Sequence, residues 1–148
     1  MKTIRQLELE AESILGVKVE YDNYATSGMV FAIHYTNMPD VRIPKLGTFD
    51  DNFTKMGEEQ QRWVLLHEKG HINSWEKRLP GHLKHYLLKN DLSNELYFEK
   101  ECEADFYAAQ EVGIENAIKF LKETLPTNVA TRELYLLNKW DNYKKSKT

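Results

Sequence analysis

The sequence has a single cysteine, Cys102, which excludes an internal disulfide and fits a reducing compartment. It has no excess of positive charge, since 20 Lys and Arg stand against 23 Asp and Glu, for a formal net charge of -3. That balance does not advertise a polyanionic partner, and no basic stripe occurs outside the short "KKSKT" at the C-terminus, so direct nucleic-acid binding is not expected. No stretch approaches the roughly 18 apolar residues needed to cross a membrane. The N-terminal "MKTIRQLELEAESILG" carries charges every few residues and lacks an apolar run of signal-peptide length, so the expectation is a cytoplasmic protein without a membrane anchor. Internal repeats, low-complexity tracts and linkers are also missing. One domain of 148 residues is expected, long enough to bury a core without staples.

What is present fits a globular chain, with 41% hydrophobic and 29% charged residues. Ile4, Leu7, Ala11, Ile14 and Leu15 recur at three- and four-residue spacings and predict an amphipathic helix over 4–15, stopped by Gly16. Strands are predicted at "VKVEY" (17–21), "GMVFAIHY" (28–35) and "VRIPKL" (41–46), with Pro44 pushing the third toward a sheet edge or a strand end. After "GTFDDN", helices are predicted over 57–76, 82–90, 94–111, 114–125 and 130–143, with a frayed tail from 144. The helix over 57–76 is apolar around most of its circumference, which places it in the middle of the domain. The fold class is α+β: helix-rich, with a small three-stranded sheet near the N-terminus.

Within that central helix, "WVLLHEKGHINSW" (63–75) sets His67, Glu68 and His71 in an apolar run, where they are costly to bury without partners. His67-Glu68-Lys69-Gly70-His71 matches H-E-x-x-H. On a helix, positions i and i+4 share one face, so two imidazole nitrogens are able to converge on a single tetrahedral cation. Glu68 points aside from that pair and reaches a water on the metal rather than the metal itself. Zinc, one ion per chain, would acidify that water, and Glu68 would take its proton as it attacks a carbonyl. The bland alternative is three satisfied polar residues on a helix grazing the surface.

A catalytic zinc needs a third protein ligand. The acidic cluster "FEKECEADFYAAQE" (98–111) is the natural source, but Glu99, Glu101, Glu103 and Asp105 alternate and so spread around a helix axis. They cannot all face one metal, and a solvated acidic face is the ordinary reading of any one of them.

H-E-x-x-H followed by a helix bearing E-x-E-A-D-x-x-A resembles the ImmA/IrrE family of small zinc metallopeptidases, of the gluzincin group. Carried onto "ECEAD", the resemblance makes Glu101 the third ligand. Asp105, four residues later, then accepts the free N–H of a ligand histidine and fixes its tautomer. Glu103 is the competing ligand. The resemblance spans roughly residues 4–121, including the order of a short helix followed by three strands; the C-terminal helix is not matched. Gly70 suits the family's usual H-E-x-G-H, and a close backbone approach would explain a glycine inside a helix.

Gluzincins also need a group that stabilises the transition state. His82, His85, Tyr86, Tyr97 and Tyr107 are the candidates, although His82 and His85 read more simply as surface residues on a short helix and Tyr107 as core. An edge strand beside the metal helix would pair with the substrate backbone, drawn from 28–35 or 41–46. His34, Trp63, Trp75 and Cys102 read as structural residues. The resemblance implies a metalloendopeptidase encoded by a phage or mobile element, acting on a helix-turn-helix repressor. The other expectation is a non-hydrolytic module that sequesters such a regulator.

Overall fold

In a computed structural model of the chain, residues 2–23, 30–35, 43–73, 93–124 and 129–146 are described. Thr3 starts the first helix, α1 (Ile4–Leu15), through a reciprocal capping box. The Gln6 N–H donates to Thr3 Oγ1 at 3.1 Å, and the Thr3 N–H donates to Gln6 Oε1 at 2.8 Å. Gly16 ends the helix in the left-handed region, at φ 75°, and its N–H closes on the Glu12 carbonyl. Leu7, Ala11 and Leu15 form the buried stripe that the spacing predicts.

Three strands follow, β1 (Lys18–Tyr21), β2 (Phe31–Tyr35) and β3 (Pro44–Phe49), in the sheet order β1-β3-β2. β3 runs parallel to β1 and antiparallel to β2. The third strand lies further along the chain than the predicted 41–46, of which 41–42 fall outside the described residues. Pro44 is its first residue, a position that tolerates the missing N–H. Gly47, Thr48 and Phe49, which lie past the end of the predicted strand, are its buried end. A Cβ on Gly47 would lie 3.1 Å from the Phe31 ring and 3.3 Å from Val19, so glycine is what lets the central strand sit beneath these two side chains.

β1 is an edge strand, and α1 covers its backbone. The Val19 N–H donates to Glu12 Oε1 at 3.2 Å and the Tyr21 N–H to Glu8 Oε2 at 3.0 Å, so two helix carboxylates stand where another strand would bond.

A short helix that the sequence reading left out, α2 (Asp51–Thr54), is capped by the Asp50 carboxylate, which accepts the N–H groups of Asn52 and Phe53. Then come α3 (Glu58–Asn73), α4 (Ser93–Val112), α5 (Ile114–Thr124) and α6 (Val129–Ser146). Gly113, at φ 89°, turns the chain between α4 and α5. The predicted helix over 82–90 lies outside the described residues. α6 continues to Ser146, three residues into the tail predicted to fray. Tyr143 stacks edge-on to Phe106, and Lys144 and Lys145 complement the carbonyl end of the helix dipole, which together hold the last turn.

α3 is the central helix, as its circumference predicts. Leu65 and Ile72 face the α1–sheet core with Phe31, Phe49 and Phe53. Trp63 and Leu66 face a second core with Ala108, Ala109, Phe120 and Leu136. Its longest contact is with α4. The tightest point there is Gly70, where a Cβ would meet the Cα of Ala104 at 2.8 Å. The absent side chain at 70 and the small one at 104 let the two helices approach closely, and this approach sets the geometry of the site.

Candidate metal centre

His67 and His71 occupy one face of α3 a turn apart, with ring centroids separated by 4.6 Å. Glu101 faces them from α4. His67 Nε2 lies 2.9 Å from Glu101 Oε2, His71 Nε2 lies 3.2 Å from Glu101 Oε1, and the two Nε2 atoms are 3.0 Å apart. Two imidazoles and a carboxylate have no reason to crowd these four atoms together unless a proton or a cation sits between them. In a tetrahedral site with metal–ligand distances near 2.1 Å the ligand atoms stand about 3.4 Å apart. The Nε2–Nε2 separation and the contact of each imidazole with its own Glu101 oxygen fall short of that edge by a few tenths of an ångström, so a small outward shift opens room for an ion. Among the described residues this group is able to hold a metal ion, and Glu103 is not part of it.

Asp105 is one turn beyond Glu101, with its side chain 1% exposed. Its Oδ1 lies 2.9 Å from His67 Nδ1, the far side of the ring from Glu101. A hydrogen bond there keeps the Nδ1 proton on His67 and leaves Nε2 facing the centre, which is how a carboxylate fixes the tautomer of a ligand histidine. In the metal-free fold, burial would lower the His67 pKa, but hydrogen bonds to Asp105 and Glu101 outweigh it and the imidazole is pushed up to about 10. Burial likewise works to raise the Glu101 pKa, and the two imidazoles hold it well below the carboxylate range instead. A proton on His67 thus serves as the counter-charge that a metal ion would replace.

One residue of this cluster escaped the sequence reading. Arg132 of α6 grips Asp105 with both arms, Nε to Oδ2 at 2.9 Å and a terminal nitrogen to Oδ1 at 2.7 Å. The same terminal nitrogen stands 3.7 Å from Glu101 Oε2. A signal was available, because Arg132, Leu136, Trp140 and Tyr143 follow at four-, four- and three-residue steps, which puts a guanidinium on the core-facing stripe of α6. A cation on that stripe calls for a buried anion, and Asp105 supplies it.

Glu68 is half-buried on α3, one position past His67. Cys102 is buried beside the cluster, and burial, reinforced by the Asp105 charge, pushes its thiol up to about 12, which makes it inert. His34 Nε2 lies 2.9 Å from Thr48 Oγ1 within the sheet, a satisfied strand histidine. Tyr107 packs in the second core, beside the Gly70 contact. Tyr97 is on α4 but its side chain is outside the described residues, as are Trp75, His82, His85 and Tyr86 altogether. No helix among the described residues is long and apolar enough to cross a membrane. No protein-family model, curated protein or solved structure matches the chain.

Proposed function

We propose that the protein is a zinc-dependent metallopeptidase. The observation that carries this reading is the convergence of His67, His71 and Glu101, with the adjacent Glu68 in the base position of H-E-x-x-H. Two imidazoles and one carboxylate are the donor set of peptide-cleaving zinc sites, and they leave one position open. Bound zinc would supply Lewis-acid polarisation of a scissile carbonyl and acidification of water. Glu68 then takes a proton from the attacking water and returns it to the leaving amine. His67 keeps its Nδ1 proton on Asp105 throughout, so its other nitrogen stays available to the centre.

The resemblance to ImmA/IrrE peptidases narrows the substrate to a specific cytoplasmic protein, a helix-turn-helix repressor of a phage or mobile element. The net charge of -3 supports recognition of the repressor rather than of its DNA.

The test is elemental analysis of the native protein and of the Glu101→Ala and Glu103→Ala variants, followed by identification of new protein N-termini in cells expressing the native protein or Glu68→Gln. One zinc per native chain, lost with Glu101 and kept with Glu103, together with cleavage that disappears in Glu68→Gln, is the expected result. Zinc binding with equal regulatory effect from both proteins would leave the sequestering module as the function. Failure of the native chain to take up added zinc would end the peptidase reading.

A further inference from the structure

The C-terminal helix does more than complete the second core. The geometry points to Arg132 as a positioning residue of the metal centre: from α6 it fixes Asp105, and through Asp105 the orientation of His67. Three observations carry this. The guanidinium is almost fully enclosed, with its side chain 12% exposed, and makes the paired hydrogen bonds of a fork on a carboxylate rather than a surface contact. The carboxylate it grips shares one oxygen, Oδ1, between Arg132 at 2.7 Å and His67 Nδ1 at 2.9 Å, so the position of the arginine sets the position of the atom that holds the imidazole. Its second neighbour is Glu101 at 3.7 Å, so one cation offsets the mutual repulsion of a buried and a half-buried carboxylate on successive turns of α4.

Removing such a group leaves Asp105 buried without its fork and free to swing away from His67, which misplaces a ligand without deleting one. A lysine restores the charge but not the planar fork, so its rescue is partial. The consequence is a division of labour along the chain. α3 and α4 bring the ligands, and α6, the last element, aligns them.

This inference rests on the metal-centre reading, and its test separates the two. Zinc affinity is measured by competition with a chromophoric chelator for the native chain, Arg132→Met, Arg132→Lys and Leu136→Ala. Folding of each is checked by circular dichroism and thermal denaturation. Leu136 is fully buried on the same helix, packs in the second core and has no polar group to offer Asp105, so its truncation loosens α6 without removing the fork. Arg132→Met is expected to bind zinc about 10- to 100-fold more weakly, with Arg132→Lys between it and the native chain. Leu136→Ala is expected to melt earlier but bind zinc as the native chain does. In an Asp105→Asn background, Arg132→Met is expected to add little further loss, because the two act in series.

If folded Arg132→Met binds zinc within about twofold of the native chain, or if Arg132→Met does not fold and Arg132→Lys binds zinc indistinguishably from the native chain, the positioning role is overturned. The same holds if Leu136→Ala weakens zinc binding as much as Arg132→Met does. A native chain that binds no zinc removes the metal centre itself, a result distinct from either of these.

Discussion

A Cβ built on Gly70 would lie 2.8 Å from the Cα of Ala104 and 3.1 Å from its carbonyl oxygen, so α3 and α4 meet backbone to backbone one residue before His71 and three after Glu101. The obstacle is main chain, which cannot rotate aside. Gly70→Ala therefore has to push the helices apart, and overpacking of this kind costs about 1–3 kcal/mol. The better helix propensity of alanine returns up to about 1 kcal/mol of that. The expected net result is a lower melting temperature and a drop in zinc affinity, since the imidazoles of α3 separate from the carboxylate of α4. Thermal denaturation with and without zinc checks both. An unchanged melting temperature would mean that the close approach is not a constraint.

The metal-free protein has a pH dependence set by the same cluster. His67 is raised from an ordinary 6.5 to about 10 in the fold, so folding favours its protonated form. Its contribution is complete below 6.5 and is lost as pH rises through about 10. Glu101 is lowered from 4.5, so its contribution is present above 4.5 and is lost as pH falls through its depressed folded value. The chelator-treated protein is expected to be most stable between these limits and to weaken steadily on the alkaline side. At the proposed zinc site, the ion would take the place of the proton, so the gap in melting temperature between zinc-loaded and chelated protein should widen from about pH 6.5 to pH 9. A constant gap across that range would contradict the exchange of proton for metal.

Asp105 and Glu101 should separate in their effects although they are one helical turn apart. Glu101→Ala removes a donor and is expected to abolish stoichiometric zinc. Asp105→Asn keeps a hydrogen-bond acceptor of nearly the same shape for His67 Nδ1 and is expected to weaken zinc by about 10- to 100-fold while retaining it. Zinc titration of the two variants decides this. Equal losses would make Asp105 a ligand in its own right.

The differences between elements that were legible and those that were not have physical causes. The His67–His71 pair was legible because i, i+4 spacing is a property of one helix and needs no tertiary knowledge. Glu101 was not, because four alternating acids around α4 are equivalent until another helix approaches; the resemblance singled it out, and in the fold it faces the two imidazoles. β3 runs past the predicted end at Leu46 because a glycine weakens a strand pattern, whereas in the fold Gly47 is there to pass beneath Phe31 and Val19. The end of α6 reads as a fraying terminus because the Tyr143–Phe106 contact that holds it is tertiary and leaves no local signal. Arg132 was missed for the opposite reason. Its place on the apolar stripe of α6 was available in the periodicity, and only the anion that justifies it lies elsewhere in the chain.

Glu8 and Glu12 lie one helical turn apart on α1, and their carboxylates accept the backbone N–H groups of Tyr21 and Val19, two residues apart on β1. The two periodicities match, so one face of the helix closes the strand edge. Hydrogen bonds from a neutral donor to a charged acceptor contribute about 1.5–3 kcal/mol when partly buried. Glu8 is largely enclosed, with its side chain 16% exposed, whereas its contact with Arg5 is made by a mostly exposed guanidinium. Glu8→Ala is accordingly expected to lower stability by about 1–2 kcal/mol in urea denaturation, and Glu8→Gln, which keeps an acceptor oxygen, by less. The double variant with Glu12→Ala leaves two N–H groups on an open edge, so it should also associate at high concentration, as read by light scattering. If the double variant stays as stable and as dispersed as the native protein, the carboxylates are incidental neighbours and the edge is protected by other means.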